Sequence, residues 1–280
     1  DETIQTAYAT IKTWVDAGFD TDFTINTSPN DWWHNGLDWY CYRLSSADGA
    51  GYLPTDHKIM HLINPNHYEK YYHPDTGFYA PLVTNDMRFH TTTVFNGTQG
   101  YYFYVQNFGY LNPNRNRYLF TVYTNNKWYN NNQIYVDPDY PNPIFLTYEG
   151  DMIKAECDLK GGNTATTLAV MNDPTGPRKA LGMLPDVTIA NEAEAINYLH
   201  LEYSFELDYA TMAVGQWAFM RRWDLLQKGT PLHAPVPARE LEATGKELYT
   251  FGGVDNATNP GTATGTGAWK TYPNGDGDGV

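Results

Sequence analysis

The residues best suited to binding chemistry lie in the segment 30–40, which reads NDWWHNGLDWY. Sugar rings present apolar C–H faces and equatorial hydroxyl groups, so a site that holds them needs flat aromatic side chains beside amides and carboxylates. This segment supplies both. The candidate ligand-binding residues are Trp32, Trp33, Asn35, Asp38, Trp39 and Tyr40. The alternative is that the three tryptophans pack against the body of the protein and hold the loop in place.

A second candidate segment covers residues 125–133 and reads NNKWYNNNQ. It places Trp128 and Tyr129 inside a run of amides, a composition that is poor for a core and typical of an exposed surface. We predict that these two rings contact a ligand. Contact with a partner protein and a plain solvated turn are the alternatives.

Metal chemistry has little support in the sequence. His57 and His61 have the i, i+4 spacing of two ligands on one helix face, but no Glu follows His57 and no third ligand is evident. Asp276 and Asp278 resemble part of a calcium loop without its closing glutamate. We therefore predict no metal and no cofactor.

Catalysis by paired carboxylates, as in glycoside hydrolases, is the main enzymatic alternative. Glu149 and Asp151 are close in sequence but face different directions on a helix, so they cannot flank one bond. Glu202 and Glu206 share a helix face, where a structural role is expected. With no recognised catalytic motif present, we predict no catalytic residue.

The composition excludes two classes of function. The chain has 32 acidic and 18 basic residues, a net charge of −14, so it lacks the basic surface that nucleic acids require. No apolar run approaches the roughly 20 residues of a membrane-spanning helix. The two cysteines, Cys41 and Cys157, do not fix a redox compartment.

Helical periodicity surrounds a long loop-rich segment. Apolar residues at helical spacing predict a first helix that ends near Gly18, and periodicity returns at Ile144. Between them, residues 19–143 are rich in Asn, Asp, Gly, Pro and aromatics, with a few short β-favouring runs such as YYFYVQNFGY and RYLFTVY. Asn191 and Glu194 form a capping-box pattern that begins a further helix. Residues 254–280 read as a loose tail.

Five fragments, in collinear order, resemble the SusD/RagB family of nutrient-binding outer-membrane lipoproteins. The central fragments are PTDHKIMHLINPNHYEKYY (54–72) and APLVTNDMRFHTTTVF (80–95), the latter with Asp86-Met87-Arg88. The others are FLTYEGDMIKAECDLKGG (145–162), the helix with EYSFEL (202–207) followed by WAFMRRWDLLQKGTPLH (217–233), and PVPARELEATGKELYTFGG (235–253). The chain departs from the family at Thr147, where an arginine is frequent.

The resemblance implies a mainly α-helical, SusD-like scaffold with long loop excursions and short β-hairpins. Residues 1–253 would be the C-terminal part of one such domain, with the loop-rich ligand and partner region at 19–143 and a helical region at 144–253. Its tetratricopeptide-like helices and lipid anchor would lie mostly upstream. The expected location is the extracellular face of the outer membrane.

The function that the resemblance implies is capture without catalysis. Such a protein would act as the lid of a TonB-dependent, SusC-like barrel transporter and deliver an oligosaccharide or peptide to it. Two alternatives stay open: a secreted glycoside hydrolase or its accessory carbohydrate-binding domain, and a structural subunit of a surface assembly.

Overall fold

The computed structural model describes about half of the chain, most of it in the C-terminal helical region. The described residues are 2–18, 23–26, 54–56, 59, 62–63, 84–89, 103–105, 120–125, 141–207, 214–233, 236–248 and 261–264. Within them helices predominate, so the prediction of a mainly α fold is confirmed at that level. None of the described helices is long and apolar enough to cross a membrane.

Seven helices and five short strands make up the described structure. The helices are α1 (Glu2–Gly18), α2 (Thr147–Lys160), α3 (Ala165–Asn172), α4 (Pro177–Ala180), α5 (Glu192–Glu206), α6 (Val214–Arg222) and α7 (Ala238–Ala243). The strands are β1 (Phe23–Asn26), β2 (Pro54–Asp56), β3 (Phe103–Val105), β4 (Phe120–Asn125) and β5 (Pro141–Phe145).

The helix boundaries follow signals in the sequence. α1 ends at Gly18, as predicted. α2 stops before Gly161, and the following Gly162 has φ +82°, a left-handed conformation that glycine adopts without steric cost. The predicted N-cap of α5 is also confirmed, because the Asn191 side chain accepts a hydrogen bond from the Glu194 backbone N–H at 3.0 Å. The Glu194 carboxylate accepts in return from the backbone N–H of Ala190 at 2.8 Å, one residue before the position that a capping box uses.

One predicted boundary is wrong. The apolar periodicity predicts a helix from Ile144, whereas residues 141–145 form strand β5 and the helix starts at Thr147. Pro141 and Pro143 lack the backbone N–H that a helix needs, and proline disfavours helical geometry in the residue before it. Antiparallel pairing with β1 then gives this extended segment its partner.

The strands organise the loop-rich region. β1 pairs with β5 so that Asn26 lies opposite Pro141, which brings the two ends of the segment 27–140 side by side. A second, three-stranded antiparallel sheet has the order β2-β4-β3. β3 lies within the predicted β-favouring run YYFYVQNFGY, and β4 overlaps the run RYLFTVY at residues 120–123. The segment that carries the candidate aromatic residues is therefore closed at its base.

Four helices form the core next to this base. α2 contacts α1, α3 and α5, and α3 contacts α5. The buried apolar side chains of these helices are Val15, Met152, Ala155, Leu159, Met171, Ala195, Leu199, Tyr203 and Phe205. Burial of each of the larger ones, the Val, Leu, Met and Phe side chains, stabilises the fold by about 1.5–3 kcal/mol relative to full exposure.

The chain divides into two compact units, Asp1–Gly215 and Gln216–Val280. In the second unit, the backbones of 230–232 and 261–263 are joined, with Leu232 N–H donating to Gly261 O and Ala263 N–H to Thr230 O, both at 2.8 Å. α7 buries none of its residues. The assignment of 1–253 to one domain and of 254–280 to a tail stays a prediction.

Candidate functional site: a buried arginine with three carboxylates

The predicted ligand-binding residues lie outside the described part of the chain. They are Trp32, Trp33, Asn35, Asp38, Trp39, Tyr40, Trp128 and Tyr129. The same holds for His57, His61, Asp276 and Asp278. Their roles therefore stay predictions.

The most highly charged site that the structure describes is built around Arg88. This side chain is 1% exposed, and three carboxylates surround its guanidinium: Asp86, Glu202 and Glu206. A buried cation of this kind is stable only where its hydrogen bonds are complete. The geometry of the cluster meets that condition.

All five guanidinium N–H donors of Arg88 have a carboxylate acceptor. Towards Asp86, Nε donates to Oδ1 and Oδ2 at 3.0 and 3.1 Å, and Nη2 donates to Oδ2 at 2.7 Å. Towards Glu202, Nη2 donates to Oε1 at 2.9 Å and Nη1 to Oε2 at 2.7 Å. Nη1 donates its second hydrogen bond to Glu206 Oε1 at 2.9 Å. Both contacts with Asp86 and Glu202 are bidentate, the strong arrangement for this pair of groups.

The elements that hold the cluster are far apart in sequence. Glu202 and Glu206 are one turn apart on α5, which puts both carboxylates on the same face. Arg88 comes from the turn 84–89, where the Asp86 carboxylate also accepts the backbone N–H of Arg88 at 3.0 Å. Phe89 N–H closes the turn onto Asp86 O at 3.0 Å. Asp86 therefore shapes the turn and neutralises the arginine that the turn carries.

Gly182, just after α4, covers the cluster from the other side. Its carbonyl accepts the Met87 backbone N–H at 3.0 Å, which joins the turn to the segment after α4. A Cβ atom at this position would lie 2.5 Å from Arg178 O and 2.9 Å from Asp86 Oδ1. The Gly182 backbone thus lies so close to the Asp86–Arg88 ion pair that there is no room for a side chain at position 182.

Aromatic groups line the remaining sides of the cluster. The Arg88 guanidinium carbon lies 5.1 Å from the centre of the Phe205 ring, and Phe89 packs edge-on against that ring, also at 5.1 Å. From α2, the Tyr148 hydroxyl donates to Glu202 Oε2 at 3.4 Å. These contacts exclude water and strengthen the charge interactions inside.

The cluster holds one positive group and three acidic groups. Burial raises the pKa of Glu202, although Arg88 partly offsets it. Burial alone would lower the pKa of Arg88, but the charges of Glu202 and Asp86 raise it well above its usual value. The pKa of the Tyr148 hydroxyl is raised, first by burial and then by the Glu202 charge. Arg88 is therefore always charged, and Glu202 holds a proton more readily than an exposed glutamate does.

This arrangement favours a structural role for the cluster over catalysis or anion binding. Every donor of Arg88 is already occupied, so an incoming anion would find no free N–H group. The cluster joins the turn 84–89 to α5, across 114 residues of sequence between Arg88 and Glu202. Among the described residues, no group of three or more His, Cys, Asp or Glu side chains could hold a metal ion.

The paired carboxylates of the hydrolase alternative have different surroundings. Glu149 is 8% exposed, whereas the Asp151 side chain is 47% exposed. One acid is thus inside the protein and the other is at its surface, so the two do not face a common substrate. The Glu202 and Glu206 pair is occupied by Arg88.

The parts of this cluster are visible in the sequence, but their contact is not. Helical spacing puts Glu202 and Glu206 on one face with an expected structural role, and Asp86-Met87-Arg88 stands out only as part of a family resemblance. The available signal was an acidic pair one turn apart on a helix, together with an arginine two residues after an aspartate. Nothing in the spacing could pair residues more than a hundred positions apart.

Comparisons of the chain with protein-family models, with curated proteins and with solved structures find no match. The resemblance to the SusD/RagB family therefore stays a prediction from the sequence.

Replacing Arg88 with methionine tests the structural role of the cluster. Arg88→Met leaves three acidic groups buried without their cation, so we expect the free energy of unfolding to fall by about 3–5 kcal/mol. Arg221→Met is the matched control, because Arg221 is exposed and stacks over the Trp217 ring at 5.5 Å. This substitution should change the free energy of unfolding by less than about 1 kcal/mol. Urea denaturation measures both. A loss below about 1 kcal/mol for Arg88→Met would show that the cluster does not hold the fold together.

Gly182→Ala tests the close approach over the cluster. The added methyl group meets Arg178 O at 2.5 Å, and backbone atoms cannot move aside cheaply, so we expect a loss of about 1–3 kcal/mol. The control is Gly18→Ala at the end of α1, where an added Cβ has no neighbour within 4 Å. Thermal unfolding of both variants makes the comparison, and equal melting temperatures would contradict the described geometry.

Proposed function

We propose that the chain is the C-terminal part of a cell-surface, nutrient-capture lipoprotein of the SusD/RagB type. It binds an oligosaccharide or a peptide without cleaving it and passes it to a TonB-dependent barrel transporter for which it acts as a lid. The expected location is the extracellular face of the outer membrane, with the lipid anchor upstream.

The observation that carries the proposal is the meeting of three resembling fragments in one cluster. Arg88 comes from the fragment 80–95, Tyr148 from 145–162 and Glu202 from the α5 fragment, and all three side chains contact each other or a shared partner. Three chance matches in sequence would have no reason to share a buried, fully paired ion cluster. Fragments that have a family's order and also one common contact favour a single inherited folding unit.

The binding chemistry rests on the aromatic and amide residues of 30–40 and 125–133. Both stretches lie within the segment 27–140, on whose two sides β1 and β5 pair. Binding residues concentrate on loops held by a rigid scaffold, and the helices α1, α2, α3 and α5 supply such a scaffold here. Stacking on tryptophan and hydrogen bonds to amides give affinity without a reactive group.

Tryptophan substitutions test this proposal. An array of neutral and acidic oligosaccharides and of peptides first identifies a ligand for the wild-type chain. Isothermal titration with that ligand should then show binding weakened by about 1–3 kcal/mol, roughly 5- to 150-fold in Kd, for Trp32→Ala and for Trp39→Ala. Trp14→Ala is the matched control, since Trp14 is a tryptophan on α1 with 67% of its surface exposed, and should bind as wild type does.

Three outcomes distinguish the proposal from its alternatives. Wild-type affinity in both Trp32→Ala and Trp39→Ala would show that these tryptophans do not bind the ligand. Release of new reducing ends from a polysaccharide, abolished by changing one carboxylate, would favour the glycoside hydrolase. Absence of any glycan or peptide binding, together with isolation of the chain in a stable large complex that lacks a barrel transporter, would favour a structural subunit.

A further inference from the structure

The outer side of helix α1 is apolar although it is exposed. Trp14 has 67% of its surface exposed and Ile11 has 36%. The other exposed residues of this part of the helix are mostly small and uncharged: Thr6, Ala7, Ala9, Thr10, Thr13, Ala17 and Gly18. The solvent-facing side of a helix normally carries charged side chains, and a helix that is apolar on several sides is normally covered. The composition of α1 is therefore typical of a helix that has a second partner besides α2.

The hydroxyl groups on this side are bonded within the helix itself. The Thr10 hydroxyl donates to Thr6 O, and the Thr13 hydroxyl donates to Ala9 O, both at 3.0 Å. A polar group that already has its hydrogen bond loses less when a partner displaces water from it. The two threonines therefore do not prevent α1 from being covered by an apolar surface.

The charges of α1 are balanced between residues 6 and 18. This part of the helix has one basic and one acidic side chain, and they pair with each other, since Lys12 Nζ lies 3.0 Å from Asp16 Oδ2. The whole chain, in contrast, has a net charge of −14. Two copies of so acidic a chain repel each other, and the repulsion is weakest where a neutral surface meets a neutral surface. The outer side of α1 is such a surface.

Helix α2 covers a different side of α1. Val15 is buried, and its Cγ1 atom lies 3.5 Å from the position of a Cβ at Gly150 of α2. Lys160 of α2 lies over the Tyr8 ring, 5.9 Å from its centre. Tyr8 and Val15 are seven residues apart and so share one side of α1, whereas Trp14 is about 100° from Val15 around the helix. The packing of α2 therefore leaves Trp14 exposed.

Large and small residues are spaced on the outer side of α1 so that it can pair with itself. In an antiparallel pair of α1 helices with a two-fold axis between Thr10 and Ile11, Trp14 of each copy lies opposite Ala7 of the other, and Ile11 lies opposite Thr10. A large side chain then meets a smaller one at each step, which favours the close packing of two helices. A two-fold contact uses the same surface on both copies and closes on itself.

We propose that the side of α1 formed by Ala7, Thr10, Ile11 and Trp14 is a contact between two copies of this chain. One side of one helix buries less than the roughly 800 Å² per partner of a stable interface, so the dimer is weak and forms reversibly as the protein concentration rises. Trp14 supplies much of the binding energy, because large aromatic side chains at the centre of an interface usually do. This inference does not depend on the proposed function.

Sedimentation velocity of the chain between about 10 μM and 1 mM tests the dimer, because weak interfaces associate in this range. We expect the weight-average sedimentation coefficient of the wild type to rise towards the value of a dimer. Trp14→Glu places a charge at the centre of the contact and should stay monomeric. Leu248→Glu is the matched control, because Leu248 is also a large apolar residue, 54% exposed, and gains the same charge. This variant should associate as the wild type does.

A wild-type chain that stays monomeric at every concentration would overturn the proposal, and so would association that persists in Trp14→Glu. A second measurement then identifies what covers Trp14. In protein labelled with 5-fluorotryptophan, the Trp14 ¹⁹F signal is the one missing from Trp14→Phe, and in a dimer its shift changes with protein concentration. If the chain is monomeric, a Trp14 signal without a solvent isotope shift would show that another part of the same chain covers the ring. A full isotope shift would show that the ring is left open to solvent.

Discussion

The described fold depends on one buried guanidinium. Arg88 gives all five of its N–H groups to carboxylates, two of which come from α5 and one from its own turn. Because an unpaired charge inside a protein costs several kcal/mol, the turn 84–89 cannot leave α5 without exposing or stranding both partners. The contact also imposes smaller constraints around it, such as the absence of a side chain at Gly182 and the ring of Phe205 beside the cation. The glycine at position 182 and the phenylalanine at position 205, which look unrelated in the sequence, thus both contact the same ion cluster.

Local patterns in the sequence were sufficient to predict most of the helices. They were insufficient to predict the contacts between elements that are distant in sequence. The spacing of apolar residues in the first helix and the Asn191 cap act within one or two helical turns, so they could be predicted. Strand β5 could not, because its pairing with β1 lies more than a hundred residues away. The Arg88 cluster could not be predicted either, because Arg88 and Glu202 are also more than a hundred residues apart. Only the position of Glu202 and Glu206 on one helix face was predicted. The aromatic candidates around Trp32 and Trp128 stay predictions.

The segment 27–140 carries the residues that the sequence predicts to contact a ligand, and its attachment to the described helices has physical consequences. Its two ends are paired by β1 and β5, and its middle is fixed to α5 through Arg88. A long segment that is tied at its base and at its middle loses less conformational freedom when it binds, because part of the ordering cost is met during folding. On the proposed function, the helices thus serve to hold a binding surface rather than to form one.

Side-chain NMR of the arginine guanidinium groups tests the central claim most directly. In the wild-type chain at pH 7, the Arg88 group should give separate N–H signals that exchange slowly with water, since each proton is held by a buried carboxylate. In Glu202→Gln the guanidinium loses the charge of one bidentate partner, and these signals should exchange faster or merge. A single averaged and rapidly exchanging Arg88 signal in the wild type would contradict the account.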